Sequence, residues 1–271
     1  MDSTKKIPCS VAVLTFNSEG GLRRCLESVK DFSEIIICDG GSVDYTLAIA
    51  SEYDCKVIFQ DQRYKYSNNK IADFSGVRNQ TLQAATNDWF LCVDSDEYLS
   101  IESAEEIRQI VTLGSDMEPK VYHMLRKFEV EGKIIDCAGT YPSYQPRFFH
   151  KAHVEGFARK LHEKIVAKPG ERFGYLKKAT IVPIEINIAE LKKKHQYYLQ
   201  LEAERNESLG KGSLIKALYF NLRSVCARWV KIVVNYVICR GNRMPLSFEI
   251  VSSQYGLSLS FILFKILIKK I

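Results

Sequence analysis

Short apolar runs and helically spaced apolar residues alternate along the first part of the chain. Residues 10–16 form a continuous apolar, β-branched run ending in a polar turn, which reads as a buried strand. Residues 19–30 follow with Leu22, Leu26 and Val29 at helical spacing. The pattern then predicts strands over 34–38, 56–59 and 89–93 and helices over 44–53, 71–85 and 101–113. Repeated strand–helix pairs of this length argue for an α/β fold, a parallel sheet covered on both faces. Such sheets bind ligands at the carboxyl ends of their strands, here residues 15–19, 39–44, 60–63 and 94–97.

The middle of the chain changes character. Residues 121–130 and 133–137 flank a Glu131-Gly132 turn and predict a hairpin, and extended segments broken by Pro142, Pro146, Pro169 and Pro183 follow. From residue 188 the pattern is helical, with breaks expected near 210–213, 241–245 and Gly256. The expected organisation is an α/β domain over 1–190, in two parts, 1–118 and 119–190, and a helical extension over 191–271.

The chain has 271 residues, 46% hydrophobic and 26% charged, enough to bury a core without staples. Its eight cysteines are scattered singly, several inside apolar runs, with no CxxC pair. Read as small hydrophobes, they fit a reducing cytoplasm better than a disulfide framework. The first ten residues, MDSTKKIPCS, contain no apolar stretch of signal-peptide length, which favours a cytoplasmic location. The net charge of +6 conceals an asymmetry. Residues 191–271 carry 14 Lys/Arg against 4 Asp/Glu, which leaves 24 against 28 for residues 1–190. A mildly acidic front and a strongly basic tail suggest chemistry in one part and attachment in the other.

Asp94-Ser95-Asp96 directly follows the fourth strand. At a turn the two carboxylates can converge on a hard divalent cation such as Mg²⁺ or Mn²⁺, although acidic residues at strand ends are also common turn and cap groups. Asp39-Gly40-Gly41-Ser42-Val43-Asp44 closes the second strand. Its glycines permit a tight turn and Ser42 or Asp44 can cap the next helix, so capping alone also accounts for the segment.

Five segments occur in order: Val13-Leu14-Thr15-Phe16-Asn17-Ser18-Glu19, Cys25-Leu26-Glu27-Ser28-Val29, Asp39 to Asp44, Arg78-Asn79, and Asp94-Ser95-Asp96-Glu97. Together they resemble the inverting family 2 glycosyltransferases of GT-A fold, within them the lipopolysaccharide-core and capsule glucosyltransferases. The resemblance covers residues 10–100, and more loosely 140–165. It implies a Rossmann-like, mainly parallel sheet flanked by helices, and a nucleotide-sugar donor. It also implies roles: Thr15, Asn17 and Glu19 lining the nucleoside pocket, Asp39 contacting the base, and Arg78 and Asn79 near the phosphates. Asp94 would face the ribose or metal, and Asp96 the metal. This sequence has Asp-Gly-Gly-Ser-Val-Asp where many relatives have Asp-Ser-Gly-Ser-Thr-Asp, a change that leaves the turn chemistry intact.

Inverting transfer requires a general base for the acceptor hydroxyl. Pro146-Arg147-Phe148-Phe149-His150 followed by Leu161-His162-Glu163 resembles the family's Arg-Leu-Phe … Val-His-Glu pattern. Glu163 is the expected base, with His162 positioning it or approaching the metal, and Arg147 binding a phosphate or acceptor. Asp136, Glu129 and Glu155 are alternatives.

On a helix over 214–240, Lys216, Asn221, Arg223, Arg228, Lys231 and Asn235 fall within a sector of roughly 160°, with most apolar residues outside it. Neither this stretch nor 261–271 offers uninterrupted apolar residues of spanning length. A basic amphipathic helix of this kind suits an anionic membrane surface. Packing on the catalytic domain and an oligomer interface are the competing explanations. The resulting expectation is a metal-dependent enzyme, peripheral on the inner face of the cell membrane, moving a sugar from a UDP-sugar to a lipid-linked or lipopolysaccharide-type glycan. A catalytically inactive membrane-attached scaffold and a nucleotidyltransferase are the alternatives. Cations interleaved with aliphatics disfavour nucleic acid.

Overall fold

A computed structural model describes residues 5–67, 70–114, 118–160 and 163–270. The chain forms two compact units, Met1–Lys127 with Pro142–Pro183, and Phe128–Tyr141 with Ile184–Ile271. The elements in chain order are β1 (Ile7–Thr15), α1 (Glu19–Val29), β2 (Phe32–Asp39), α2 (Thr46–Glu52), β3 (Lys56–Phe59), α3 (Phe74–Ala84), β4 (Trp89–Asp94), β5 (Tyr98–Leu99) and α4 (Ile101–Leu113). There follow β6 (Val121–Val130), β7 (Lys133–Ile134), β8 (Ser143–His150), β9 (Val154–Ala158), β10 (Lys164–Ala167), β11 (Phe173–Pro183), α5 (Ile188–Glu207), α6 (Lys211–Ile238) and α7 (Leu246–Lys269).

The first unit is built on a sheet of strand order β3-β2-β1-β4-β8-β6-β11-β5. The four strands β3 to β4 run parallel, as their continuous apolar runs require, and β8 joins β4 antiparallel. Alternate residues of each strand face opposite layers. Val11, Val13, Leu91, Val93 and Phe148 pack with Leu22, Leu26, Ile49, Ile107 and Val111 of α1, α2 and α4. Ala12, Ile36, Phe90, Cys92 and Phe149 pack on the other face with Leu82 of α3 and with Val154, Phe157 and Ile165 of the β9–β10 ribbon. The α/β expectation therefore holds, with an antiparallel extension beyond β4 supplied by the middle of the chain.

In the second unit Glu131 and Gly132, with φ of 49° and 74°, make the left-handed turn that lets β7 fold back on β6 at Glu129 and Val130. Met244 packs with Val130, Ile135 and Ala138, and the α7 residue Glu249 accepts a 2.6 Å hydrogen bond from Gly139 N. Cys137 and Cys239 are joined as a disulfide, which corrects the expectation of eight reduced cysteines. A sequence separation of 102 residues concealed the pair, because only the return of the chain after α6 brings Cys239 to the hairpin.

The breaks between the last three helices fall near those expected, but Gly256 is no break. It lies within α7, where an added Cβ would sit 2.5 Å from Val225 Cγ2 of α6. The glycine permits close helix packing, and Asn221 Nδ2 donates to its carbonyl at 2.7 Å and to Ser260 Oγ at 2.8 Å. Arg228 Nη1 donates to Ser252 O, and Lys231 Nζ to Tyr141 O. Part of the polar sector of α6 thus packs inward, while Tyr219, Phe220, Val230, Val233, Val237 and Ile238 are exposed. Continuous through Gly256, α7 is long and apolar enough to cross a membrane by length and composition, with mean hydropathy 1.5 and 28% of that window buried. The expectation from sequence weighed 214–240 and 261–271 separately and did not take in this span.

Candidate active site

The loops after β1 and β2 meet at the carboxyl ends of the strands. Asp39 is wholly buried, and its carboxylate accepts from Thr15 Oγ1 at 2.9 Å, from Gly41 N and Ser42 N at 2.7 Å each, and from Ser42 Oγ at 2.5 Å. Four internal donors satisfy the carboxylate. Asp39 and Thr15 therefore shape the turn after β2. Asn17, in the left-handed region at φ 49°, receives Val43 N on its Oδ1, and its own N donates to Ser42 Oγ. Glu19 Oε2 accepts from Tyr45 N, and Glu19 N donates to Asp44 Oδ2. The two loops are thus tied together by the residues expected to line a nucleoside pocket. Phe16, Tyr45 and Phe59 stay exposed around them, aromatic faces on which a base can stack and which the sequence reading passed over.

At the end of β4, Ser95 Oγ donates to Ser18 Oγ, bringing the Asp94–Asp96 turn against the start of α1. A Cβ at Gly21 would lie 3.0 Å from Asp96 Cα, so α1 begins in close contact with this turn. Asp96 is exposed. Asp94 is not free: Arg78 Nη2 donates to its Oδ1 and Arg147 Nη2 to its Oδ2, each at 2.6 Å. Burial would raise the Asp94 carboxyl, but Arg147 and Arg78 outweigh it and hold the group well below the usual carboxylate range. Each of its oxygens thus receives one guanidinium, and Asp94 joins the two arginines. Asp96 is the carboxylate of this turn that can meet a cation. Mg²⁺ and Mn²⁺ are commonly held by one or two carboxylates plus substrate phosphates, so an exposed Asp96 fits that donor set.

The network continues inward. Arg126 of β6 pairs with Glu97, whose carboxyl is pushed up by burial and by Asp94 against the pull of Arg147 and Arg126. Arg78 Nε lies 3.6 Å from Glu163 Oε1. Three acids and three arginines are thus gathered at one end of the sheet. Arg78 Nη1, Arg147 Nη1 and Arg126 Nε are buried with no hydrogen-bond partner among the described residues. Arg78 and Arg147 line a cavity of about 540 Å³, with His123, Gln145, Glu163 and Phe157 among others. The thiol of Cys92, also in its wall, is pushed up by burial and stays protonated.

Asn79 turns out to be structural. Its Nδ2 donates to Phe157 O at 2.9 Å and its Oδ1 accepts from Phe157 N at 2.8 Å, as a neighbouring strand would. Phe74 N donates to Lys160 O. Helix α3 thereby holds the β9–β10 ribbon, which carries Glu163 directly before Lys164. Of the alternative bases, Glu129 and Asp136 belong to the second unit and Glu155 is exposed on β9. His162 lies outside the described residues.

Removing one partner of a fully buried ion pair costs about 3–5 kcal/mol, and the Asp94 side chain is 33% exposed. Asp94→Asn is expected to lower urea-derived stability at pH 7 by about 2–3 kcal/mol, the smaller figure allowing for that exposure. The folded pKa is depressed, so this stabilisation is fully present above the unfolded carboxyl value near 4 and is lost as pH falls through the folded value. The gap between wild type and Asp94→Asn should stay constant from about pH 7 to 5 and narrow below about pH 4. A gap that does not change with pH would show that the carboxylate charge carries no stability.

The glycosyl transferase family 2 model matches residues 10–117. Over 156 residues the chain is 31% identical to the putative glycosyltransferase EpsH of Bacillus subtilis, covering 55% of this chain and 44% of the relative. It is 25% identical over 112 residues to the lipopolysaccharide core biosynthesis glycosyltransferase LpsC of Rhizobium meliloti, 41% of this chain and 40% of the relative. The chain spans less than half the length of these relatives. The mannosyltransferase PcManGT of Pyrobaculum calidifontis, solved with GDP-Man and Mn²⁺, superimposes with a TM-score of 0.51 at 12% identity, covering 99% of this chain and 88% of that one. That likeness is one of fold. Residues 10–117 are a glycosyl transferase family 2 domain, on a sheet of the GT-A type.

Proposed function

We propose that this chain is an inverting glycosyltransferase that moves a sugar from a nucleoside-diphosphate donor, a UDP-sugar, to a saccharide or lipid-linked glycan of lipopolysaccharide or capsule type. The observation that carries the reading is the placement of Glu163 on the same cavity as Arg78 and Arg147, with Asp94 bridging the two guanidinium groups. Glu163 accepts the proton of the acceptor hydroxyl as that oxygen attacks the anomeric carbon from the face opposite the leaving diphosphate. Arg78 holds Glu163 and Asp94 in register, and Arg147 presents a guanidinium fork suited to an anionic oxygen. Asp96 would hold a divalent cation, Mg²⁺ or Mn²⁺, whose positive charge offsets that of the departing diphosphate. The loops tied by Asn17, Glu19 and Asp39 give the nucleoside a rigid seat beside Phe16, Tyr45 and Phe59.

The second unit supports attachment to an anionic bilayer. Its helices expose aliphatic and aromatic side chains beside Lys216, Arg223 and Lys265, within a segment where basic residues outnumber acidic ones 14 to 4. Apolar exposure together with positive charge matches an interfacial helix, and a lipid-linked acceptor would be met at that surface. LpsC, by its name, acts in lipopolysaccharide core biosynthesis, which is the acceptor class proposed here.

Calorimetry with UDP, with and without Mn²⁺, separates the roles. Mn²⁺-dependent UDP binding is expected in the wild type and in Glu163→Gln, and to vanish in Asp96→Ala. With donor and acceptor supplied, Glu163→Gln should lose about 10²–10⁴-fold in kcat while UDP affinity is unchanged. Failure of UDP, GDP, dTDP and CMP to bind with metal present would overturn the reading.

Flotation with vesicles tests the attachment. The chain should float with vesicles containing an anionic lipid and sediment with purely zwitterionic ones, and 0.5 M NaCl, with a Debye length of about 4 Å, should release much of it. Val233→Asp with Val237→Asp should weaken flotation with the anionic vesicles. Equal flotation on zwitterionic vesicles, or none on either, would contradict an electrostatically assisted membrane face.

A further inference from the structure

A second cluster of ligand-type side chains lies at the opposite end of the sheet from Asp94. Trp89, which begins β4, pairs with His150, which ends β8, and Lys151 N donates to Asp88 O. The turn after β8 is therefore at the start of β4, whereas Asp94 closes it. In this turn stands His153. Glu118 precedes β6, and Glu171 lies in the connection between β10 and β11. One nitrogen or oxygen from each of the three lies within 4.8 Å of the others. The proposed transfer reaction uses none of them.

The charges do not balance as they stand. His153 Nδ1 lies 2.7 Å from Glu171 Oε1, with the two side chains 28% and 17% exposed. A protonated imidazole would offset one carboxylate and leave the other, and a neutral imidazole would leave both. Among the described residues no lysine or arginine pairs with Glu118 or Glu171. Two neighbouring lysines are engaged elsewhere: Lys151 Nζ donates to Ala85 O, and the buried Lys120 donates to Gly114 O beside the Trp89 ring.

Imidazole nitrogen and carboxylate oxygen are both donor types that zinc accepts, and water can complete its four-coordination. The surroundings suit such a site. The His150 ring stands edge-on to His153, with centroids 5.2 Å apart, and its Nδ1 accepts from Ala152 N, which fixes the turn. Lys168 N donates to His153 O and Glu171 N to Lys168 O, so the two connections are already joined by backbone. These contacts hold the turn that carries His153 against the connection that carries Glu171.

We propose that Glu118, His153 and Glu171 bind a zinc-class divalent cation at a structural site distinct from the donor's cation, pinning three connections of the first unit. The probe is Zn²⁺ alone, titrated calorimetrically into chelator-stripped full-length protein, with the melting temperature followed in parallel. One site should be saturable in the wild type and retained in Asp96→Ala. His153→Ala and Glu118→Gln should each weaken it at least about tenfold, the lower end of what even an outer-shell loss costs. Zn²⁺ should raise the melting temperature of the wild type and of Asp96→Ala but not of His153→Ala. Exposed Glu118 can be changed without disturbing the core, so Glu118→Gln serves should His153→Ala fail to fold. Zinc affinity unchanged in Glu118→Gln, or lost in Asp96→Ala, would overturn the proposal. The second outcome would assign the metal to the donor loop.

Discussion

The carboxylate of Asp94, held between Arg78 and Arg147, is the interaction on which the site depends. It joins three elements distant in the chain: the end of β4, the middle of α3 and the antiparallel strand β8. Each guanidinium is desolvated, and an arginine buried without an acid would cost far more than the pair gains. Sharing one carboxylate between two arginines lets the sheet bury both, with Glu163 and Glu97 completing the balance. The same arrangement leaves arginine nitrogens buried and unpartnered, so the cluster is short of acceptors. An anionic substrate group would relieve that shortage, which links the packing constraint to the chemistry proposed here.

A division of labour follows between the two carboxylates of Asp94-Ser95-Asp96. In an extended chain residues i and i+2 point to the same side, and the turn after β4 is what separates the two. Asp94 continues the face of β4 that carries Cys92 and meets α3 and β8. Asp96 stands exposed in the turn against the start of α1. One acid organises the protein and the other remains available to a ligand. Asn79 shows the same logic, since its amide substitutes for a strand neighbour and steadies the ribbon bearing Glu163.

Much of the α/β half was legible because its strands are short, apolar runs bounded by polar turns, and its helices carry Leu22, Leu26 and Val29 or Ile107 and Val111 at helical spacing. The strand ends and their acids followed from that. The partners of the acids did not follow, because hydrogen-bond saturation is a property of folded geometry. Asp39 and Asp94 look alike in sequence, yet one is closed by a turn and the other by arginines 16 and 53 residues away. The Cys137–Cys239 disulfide and the uninterrupted α7 were missed for a related reason. Both depend on contacts between segments far apart in sequence, the second through the space that Gly256 leaves for Val225.

The most direct test is a crystal structure of the full chain with UDP and Mn²⁺. The account predicts Mn²⁺ between the Asp96 carboxylate and the diphosphate, Asp94 still held by Arg78 and Arg147, and the nucleoside against the loops tied by Asn17 and Glu19. Asp94 released from its arginines and coordinating the metal would contradict it, as would a nucleotide bound away from these loops.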